Sequence, residues 1–150
     1  MSDTNTVDPL AMTGDAPDVT FPLLSEGIRE MNFSAVEPVK FEGKDGKPDS
    51  EAVKIIWSLL AKDKDTEGGP LNVGFPVQQL IFTTPNEQNS ADAIKAEIGM
   101  VIKACLGRAE AKGKTLRDCI GKVAKVKIGL FVSKKNGKEY NTVKVIVPKE

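Results

Sequence analysis

Histidine is missing from this 150-residue chain. Without an imidazole, neither a Ser-His-Asp triad, nor a Cys-His pair, nor a histidine-containing zinc site can form. Cysteine occurs only at Cys105 and Cys119, which is too few for an all-cysteine zinc site. No Asp/Glu cluster has a recognisable catalytic spacing, and the P-loop and G-x-G-x-x-G patterns do not occur. The sequence therefore predicts a protein that is not an enzyme and that holds no metal or cofactor.

Long apolar runs are also missing: none approaches the ~20 residues that cross a bilayer. The first 18 residues, MSDTNTVDPLAMTGDAPD, lack the basic and apolar regions of a secretory signal. We therefore expect a cytoplasmic protein with no membrane partner. In that compartment Cys105 and Cys119 are expected to be reduced, partly buried thiols rather than a disulfide.

Charge is segregated along the chain although its formal net value is zero. Residues 1–100 carry 8 basic and 17 acidic side chains, whereas residues 101–150 carry 13 basic and 4 acidic ones. A local positive surface is therefore plausible, although a merely solvated face explains the charges equally well. Residues 1–18 contain four aspartates and no basic residue, and they predict a disordered acidic arm ahead of one folded domain over residues 19–150.

The pattern of apolar residues predicts mostly strands. Residues 27–41 alternate, with Met31, Phe33 and Ala35 on one side, and a Gly/Pro turn at 43–48 leads into a second strand that places Trp57 on its apolar side. Pro76, in the extended stretch 71–84, indicates an edge or bulged strand rather than a central one. Residues 90–106 change to helical spacing between Ser90 as N-cap and Gly107, and a second short helix is expected to start at Thr115.

The strongest local signal is a hairpin over residues 122–147. Asn136-Gly137, between two alternating runs, is typical of a type I′ turn. That turn predicts Phe131 opposite Thr142 and Gly129 opposite Lys144, which sets Phe131 and Tyr140 diagonally across the strands. One face is then aliphatic and must be the core face, with Val126, Ile128, Leu130, Val132, Val143, Val145 and Val147.

The other face of this hairpin combines aromatic rings with positive charge. It carries Lys125, Lys127, Phe131, Tyr140, Thr142 and Lys144, with Lys134, Lys135 and Lys138 at the tip. Exposed rings can stack on the bases of a single strand, and lysines can hold its phosphates. The alternative is that the two rings only stabilise the sheet and the lysines only keep it soluble.

The order of elements predicts a β-rich α+β fold: a five-stranded OB-fold barrel with a helix between strands 3 and 4 and a C-terminal β-hairpin. Two loops of that fold contact oligonucleotides, and Lys44 and Lys47 would lie in one, Lys134, Lys135 and Lys138 in the other. Trp57 is a further candidate for DNA binding, although its apolar neighbours favour core packing.

The end of the chain resembles the small single-stranded DNA-binding proteins of bacteriophages. The resemblance covers roughly residues 27–148. It depends mainly on four features in chain order: Leu-Arg-Asp-Cys-Ile-Gly-Lys-Val at 116–123, a charged strand, Asn-Gly-Lys-Glu-Tyr-Asn-Thr-Val-Lys at 136–144, and Pro148. It implies an OB fold, sequence-tolerant binding of single strands, and a role in phage DNA replication or recombination in the host cytoplasm. Many such proteins end in an acidic tail that recruits replication partners, whereas this sequence ends Val-Pro-Lys-Glu.

Two functions follow as hypotheses. The first is a non-catalytic single-stranded DNA-binding protein that works with replication or recombination proteins. The second is an OB-like protein-interaction or virion-associated module whose basic face meets an acidic protein. The sequence leaves open whether the chain forms a homo-oligomer.

Overall fold

The computed structural model describes Leu10, residues 22–134 and residues 137–148. The predicted acidic arm, residues 1–18, lies outside this described part except for Leu10. The strands and helices are, in chain order, β1 (Gly27–Phe41), β2 (Ser50–Leu59), β3 (Asp63–Lys64), β4 (Pro70–Leu71), β5 (Pro76–Phe82), α1 (Ala91–Leu106), a short 3-10 helix (Leu116–Cys119), β6 (Val123–Val132) and β7 (Glu139–Val145).

One five-stranded sheet dominates the fold, with strand order β5-β2-β1-β6-β7 and antiparallel neighbours throughout. The strands β3 and β4 form a separate two-stranded ribbon. The helix α1 lies between the third and fourth strands of the large sheet, and a hairpin ends the sheet, as predicted. The class is therefore β-rich α+β.

The five strands of the predicted OB-fold barrel form an open sheet, because hydrogen bonding between the described strands stops at β5 and β7. These edge strands run in the same direction, since each is separated from β1 by one intervening antiparallel strand. They also approach each other, and a cleft lies between them. The prediction that the proline-containing stretch forms an edge strand is confirmed by β5, which begins at Pro76.

The inner face of the sheet forms the hydrophobic core. Alternation along the strands buries Met31 and Phe33 of β1, Ile55 and Trp57 of β2, and Val126 of β6. The Trp57 ring meets Phe33 edge-on, with ring centroids 5.3 Å apart, and its Nε1 donates a hydrogen bond to Gln79 Oε1 at 2.9 Å. Since this partner satisfies the only polar atom of the indole, Trp57 packs in the core without an unpaired donor.

A bulge in β1 changes the face predicted for Ala35. The register with β2 shifts between Phe33 and Ala35, so Ala35 lies opposite Ile56 and is exposed. Because a slip of one residue reverses the direction of every later side chain, the expected alignment of Ala35 with Met31 and Phe33 is wrong.

The helix ends agree with the predicted capping residues. Ser90 Oγ accepts a hydrogen bond from the Ala93 N–H at 3.1 Å, and Gly107 ends α1 with a φ of 90°. At the short 3-10 helix, the Thr115 N–H donates to Asp118 Oδ2 at 2.8 Å, and this bond lowers the pKa of the Asp118 carboxyl. No helix in the described part of the chain has the length and hydropathy needed to cross a membrane.

Both cysteines are free thiols, with Cys119 buried and Cys105 half-buried at the end of α1. A hydrogen bond with Cys119, together with burial, raises the pKa of the Cys105 thiol. Cys105 is therefore protonated and weakly nucleophilic at neutral pH. Cys105 is partly buried, as predicted, whereas Cys119 is completely buried, and the two are not joined by a disulfide.

Candidate nucleic-acid interface

The strands β6 and β7 pair without interruption from Val126–Val145 to Val132–Glu139. Phe131 lies directly opposite Tyr140, Gly129 opposite Thr142, and Lys127 opposite Lys144. The predicted register is therefore wrong by two residues, and the two rings are direct rather than diagonal neighbours. Because a shift of two keeps every side chain on its face, the predicted division into two faces survives the correction.

The length of the connecting loop explains the shift. The Ser133 N–H donates to the Lys138 carbonyl at 2.9 Å, and the Gly137 N–H donates to the Ser133 carbonyl at 2.8 Å. These bonds close a loop of four residues, 134–137, where the prediction has two. Gly137 has a φ of 70°, a conformation that glycine adopts easily. Lys135 and Asn136 lie outside the described residues, so the predicted turn and the site role of Lys135 are not described.

The inner face of the hairpin packs on the core at the end far from the connecting loop, and it is exposed near the tip. Val126, Ile128 and Val145 are buried, whereas Val132 is 56% exposed. Leu130, Val143 and Val147 are half-buried. The predicted core face is thus correct except at Val132, because β6 and β7 extend beyond the end of β1, which pairs with β6 only as far as Ile128.

The opposite side, which we call the outer hairpin face, consists of Lys125, Lys127, Gly129, Phe131, Tyr140, Thr142 and Lys144. Phe131 is 53% and Tyr140 is 44% exposed, so both rings reach solvent. Two residues of an antiparallel strand advance by ~6.8 Å. The ring row Phe131–Tyr140, the small row Gly129–Thr142 and the lysine row Lys127–Lys144 therefore follow each other at that spacing.

The structure brings together only some of the remaining predicted residues. Lys134 and Lys138 are exposed at the end of the hairpin, next to the ring row. Lys44 and Lys47 are exposed in the loop after β1, whereas β6 pairs with the opposite end of that strand, residues 27–32. Trp57 has no exposed surface, so its predicted contact with DNA is not available in this conformation.

A cleft beside the outer hairpin face was not predicted from the sequence. It has a volume of about 1080 Å³ and lies between the edges of β5 and β7, with α1 lining part of it. Tyr140, Thr142 and Lys144 line its β7 side, and Pro76, Gln78 and Leu80 are among the residues on its β5 side. Alternation along β5 indicates which side chains share a face, but only the three-dimensional structure brings β5 next to β7.

A second pair of exposed rings lies at another part of the outer surface. The Phe41 and Phe82 ring centroids are 5.6 Å apart, and the rings are 39% and 45% exposed. Charges of both signs lie near Phe41: Glu42 follows it, Lys40 precedes it, and Lys40 forms an ion pair with Asp49 at 3.5 Å. The outer hairpin face instead carries lysines and no carboxylate, so it is the better candidate for nucleic acid.

In the described part of the chain, no three Cys, Asp or Glu side chains are grouped so that they could hold a metal ion. The charged and aromatic side chains of the outer hairpin face are suited to holding a ligand through stacking and phosphate contacts. Comparison of the chain with protein-family models, with curated proteins and with solved structures gives no match.

Proposed function

We propose that this protein binds single-stranded DNA, without reading its sequence, through the outer hairpin face. The observation that carries the proposal is the ring row: Phe131 and Tyr140 lie directly opposite each other and about half of each side chain is exposed. Stacking of a base on such a ring contributes ~1–3 kcal/mol and tolerates every base.

The lysines supply the complementary part of the interaction. Lys127 and Lys144 lie opposite each other two rows from the rings, and Lys125 lies further along β6 on the same face. Each lysine that neutralises a phosphate releases condensed counterions, which favours binding at low salt. A duplex offers phosphates but buries its base faces, so it would gain only this charge contribution.

We also propose that the fold is an OB fold. In support, five antiparallel-paired strands in the order β5-β2-β1-β6-β7 are accompanied by a helix between the third and fourth of them. The parallel, adjacent edges of β5 and β7 are those that an OB barrel brings together, and such barrels are only partly closed. Binding without catalysis, in phage DNA replication or recombination, is the role that the sequence resemblance implies.

The proposal is tested by titrating the full chain with a fluorescent oligo-dT and with a duplex of equal length. We expect tighter binding of oligo-dT at every salt concentration, with log K falling linearly against log salt. Equal affinity for both would show that charge alone drives binding and would overturn the stacking proposal. If neither binds at low salt, the proposal fails, and the outer hairpin face is better explained as a contact for an acidic protein.

A further inference from the structure

A single strand that crosses the hairpin can leave the outer hairpin face by two routes. One crosses β6 onto β1, and the other crosses β7 into the cleft beside β5. Since neighbouring strands lie only ~4.8 Å apart, a nucleic acid that crosses the hairpin continues onto a neighbouring element, and its route decides which further residues contact it. The route matters only if the outer hairpin face binds single-stranded DNA, as proposed above.

The β1 route presents a carboxylate to the strand. Glu30 is exposed and lies opposite Lys125, and Ile28, which is 60% exposed, lies opposite Lys127. The carboxylate of Glu30 offsets the positive charge of Lys125 at the border of the two strands. A sugar-phosphate backbone that crossed here would meet a negative charge immediately beyond the lysines, which is unfavourable.

The cleft route offers mainly neutral and apolar groups. On its β5 side Pro76, Gln78 and Leu80 share the outer face with the β2 residues opposite them. Glu97 of α1 is the one acidic side chain among the described residues that line the cleft, and Lys144 lies on its β7 side. Its volume of about 1080 Å³ is at the upper end of what protein pockets provide for small organic ligands, so the cleft has room for a base.

Gln78 supplies the polar group that such a base would need. Its side chain is exposed, and its amide carries both donors and an acceptor. It can therefore form a hydrogen bond with the edge of any base, which suits binding that does not depend on sequence. Leu80 adds an apolar surface beside it.

We infer that single-stranded DNA leaves the outer hairpin face across β7, and that one of its bases lies in the cleft between β5 and β7, against Gln78 and Leu80. The cleft is continuous with the ring row, because Phe131 and Tyr140 line it too. The β5 edge is then part of the binding surface, a role that its sequence alone does not indicate.

Two isosteric substitutions test the route in the full chain. Gln78→Glu places a carboxylate in the cleft, and we expect it to weaken oligo-dT binding about fivefold at low salt. Glu30→Gln removes the carboxylate from the β1 route, and we expect a change below about twofold. If Glu30→Gln strengthens binding more than Gln78→Glu weakens it, the strand crosses β1 and the inference is wrong.

Photo-crosslinking separates a direct contact from a long-range charge effect. Oligo-dT that contains 4-thiothymidine is irradiated with the parent protein, and the modified residues are assigned by mass spectrometry. We expect crosslinks within residues 76–80, and crosslinks confined to residues 28–32 would overturn the inference. A protein that binds oligo-dT no better than duplex would instead contradict the proposed function itself, so the two failures are distinguishable.

Discussion

Asn141 of β7 holds the backbone of Leu24, 117 positions earlier in the chain, through two hydrogen bonds. Its Oδ1 accepts from the Leu24 N–H at 2.9 Å, and its Nδ2 donates to the Leu24 carbonyl at 2.8 Å. The side-chain amide thus pairs with Leu24 as a neighbouring strand would. Leu24 has no exposed surface, so water cannot replace these partners.

Substitution of this residue should therefore destabilise the fold. Asn141→Ala leaves a buried N–H and a buried C=O of Leu24 without their partners, and we expect a loss of about 1–3 kcal/mol in the free energy of unfolding. Urea unfolding followed by the fluorescence of the single tryptophan, Trp57, measures it. Asn72→Ala, at an exposed position, is the matched control and should change little. Equal unfolding midpoints for the two variants would contradict the anchoring role.

The sequence predicts the face on which a strand residue lies better than it predicts the residue that pairs with it on the neighbouring strand. Alternation correctly assigns Trp57 to the core side and Phe131 to the solvent side, because burial of one face dictates a period of two. Ala35 is misassigned because the bulge after Phe33 has no recognisable signature in the residues. The prediction of the hairpin register fails for a related reason: Asn-Gly favours a two-residue turn, but hydrogen bonds at Ser133 close a longer loop.

The site is predictable only where it belongs to one hairpin. Phe131, Tyr140 and the lysines of the outer hairpin face lie close together in the sequence, so alternation alone predicts the face that they share. The cleft is different, since it depends on how far the whole sheet curls and brings Gln78 and Thr142 to the same cleft. No local pattern in the sequence encodes that curvature. Trp57 is a different case: as an aromatic residue it is a candidate for DNA binding, but it packs in the core.

Gly129 and Thr142 form the small row of the outer hairpin face, and their contact predicts a coupled stability effect. A Cβ at position 129 would lie 2.8 Å from Thr142 Oγ1. We expect Gly129→Ala to cost about 1 kcal/mol in the free energy of unfolding, as overpacking does. The cost should be smaller in a Thr142→Ala background, where this oxygen is missing. A double-mutant cycle by urea unfolding measures the difference, and strictly additive effects would show that the two positions do not interact.

The ring row predicts a loss of affinity that does not depend on salt. Phe131→Ala and Tyr140→Ala should each weaken oligo-dT binding by ~1–3 kcal/mol, because a base loses its stacking partner while the phosphate contacts remain. Fluorescence anisotropy at several salt concentrations should therefore give a lower affinity and an unchanged slope of log K against log salt. Val132→Ala is the matched control, since Val132 follows Phe131, is 56% exposed and faces the other side. If the ring variants bind as the control does, stacking is not part of the interaction.

The lysine row predicts the opposite behaviour. Lys127 and Lys144 lie opposite each other and both are exposed, so each can neutralise one phosphate of a strand that reaches the row. Lys127→Ala and Lys144→Ala should each reduce the magnitude of the slope of log K against log salt by about 0.7, the value for one phosphate contact on a single strand. Lys62→Ala, at an exposed position between β2 and β3, removes the same charge from a residue that is not part of the outer hairpin face. A specific phosphate contact is lost only when its own lysine is removed. An equal change of slope for Lys62→Ala would therefore mean that the net charge of the protein attracts the DNA, rather than the placement of Lys127 and Lys144.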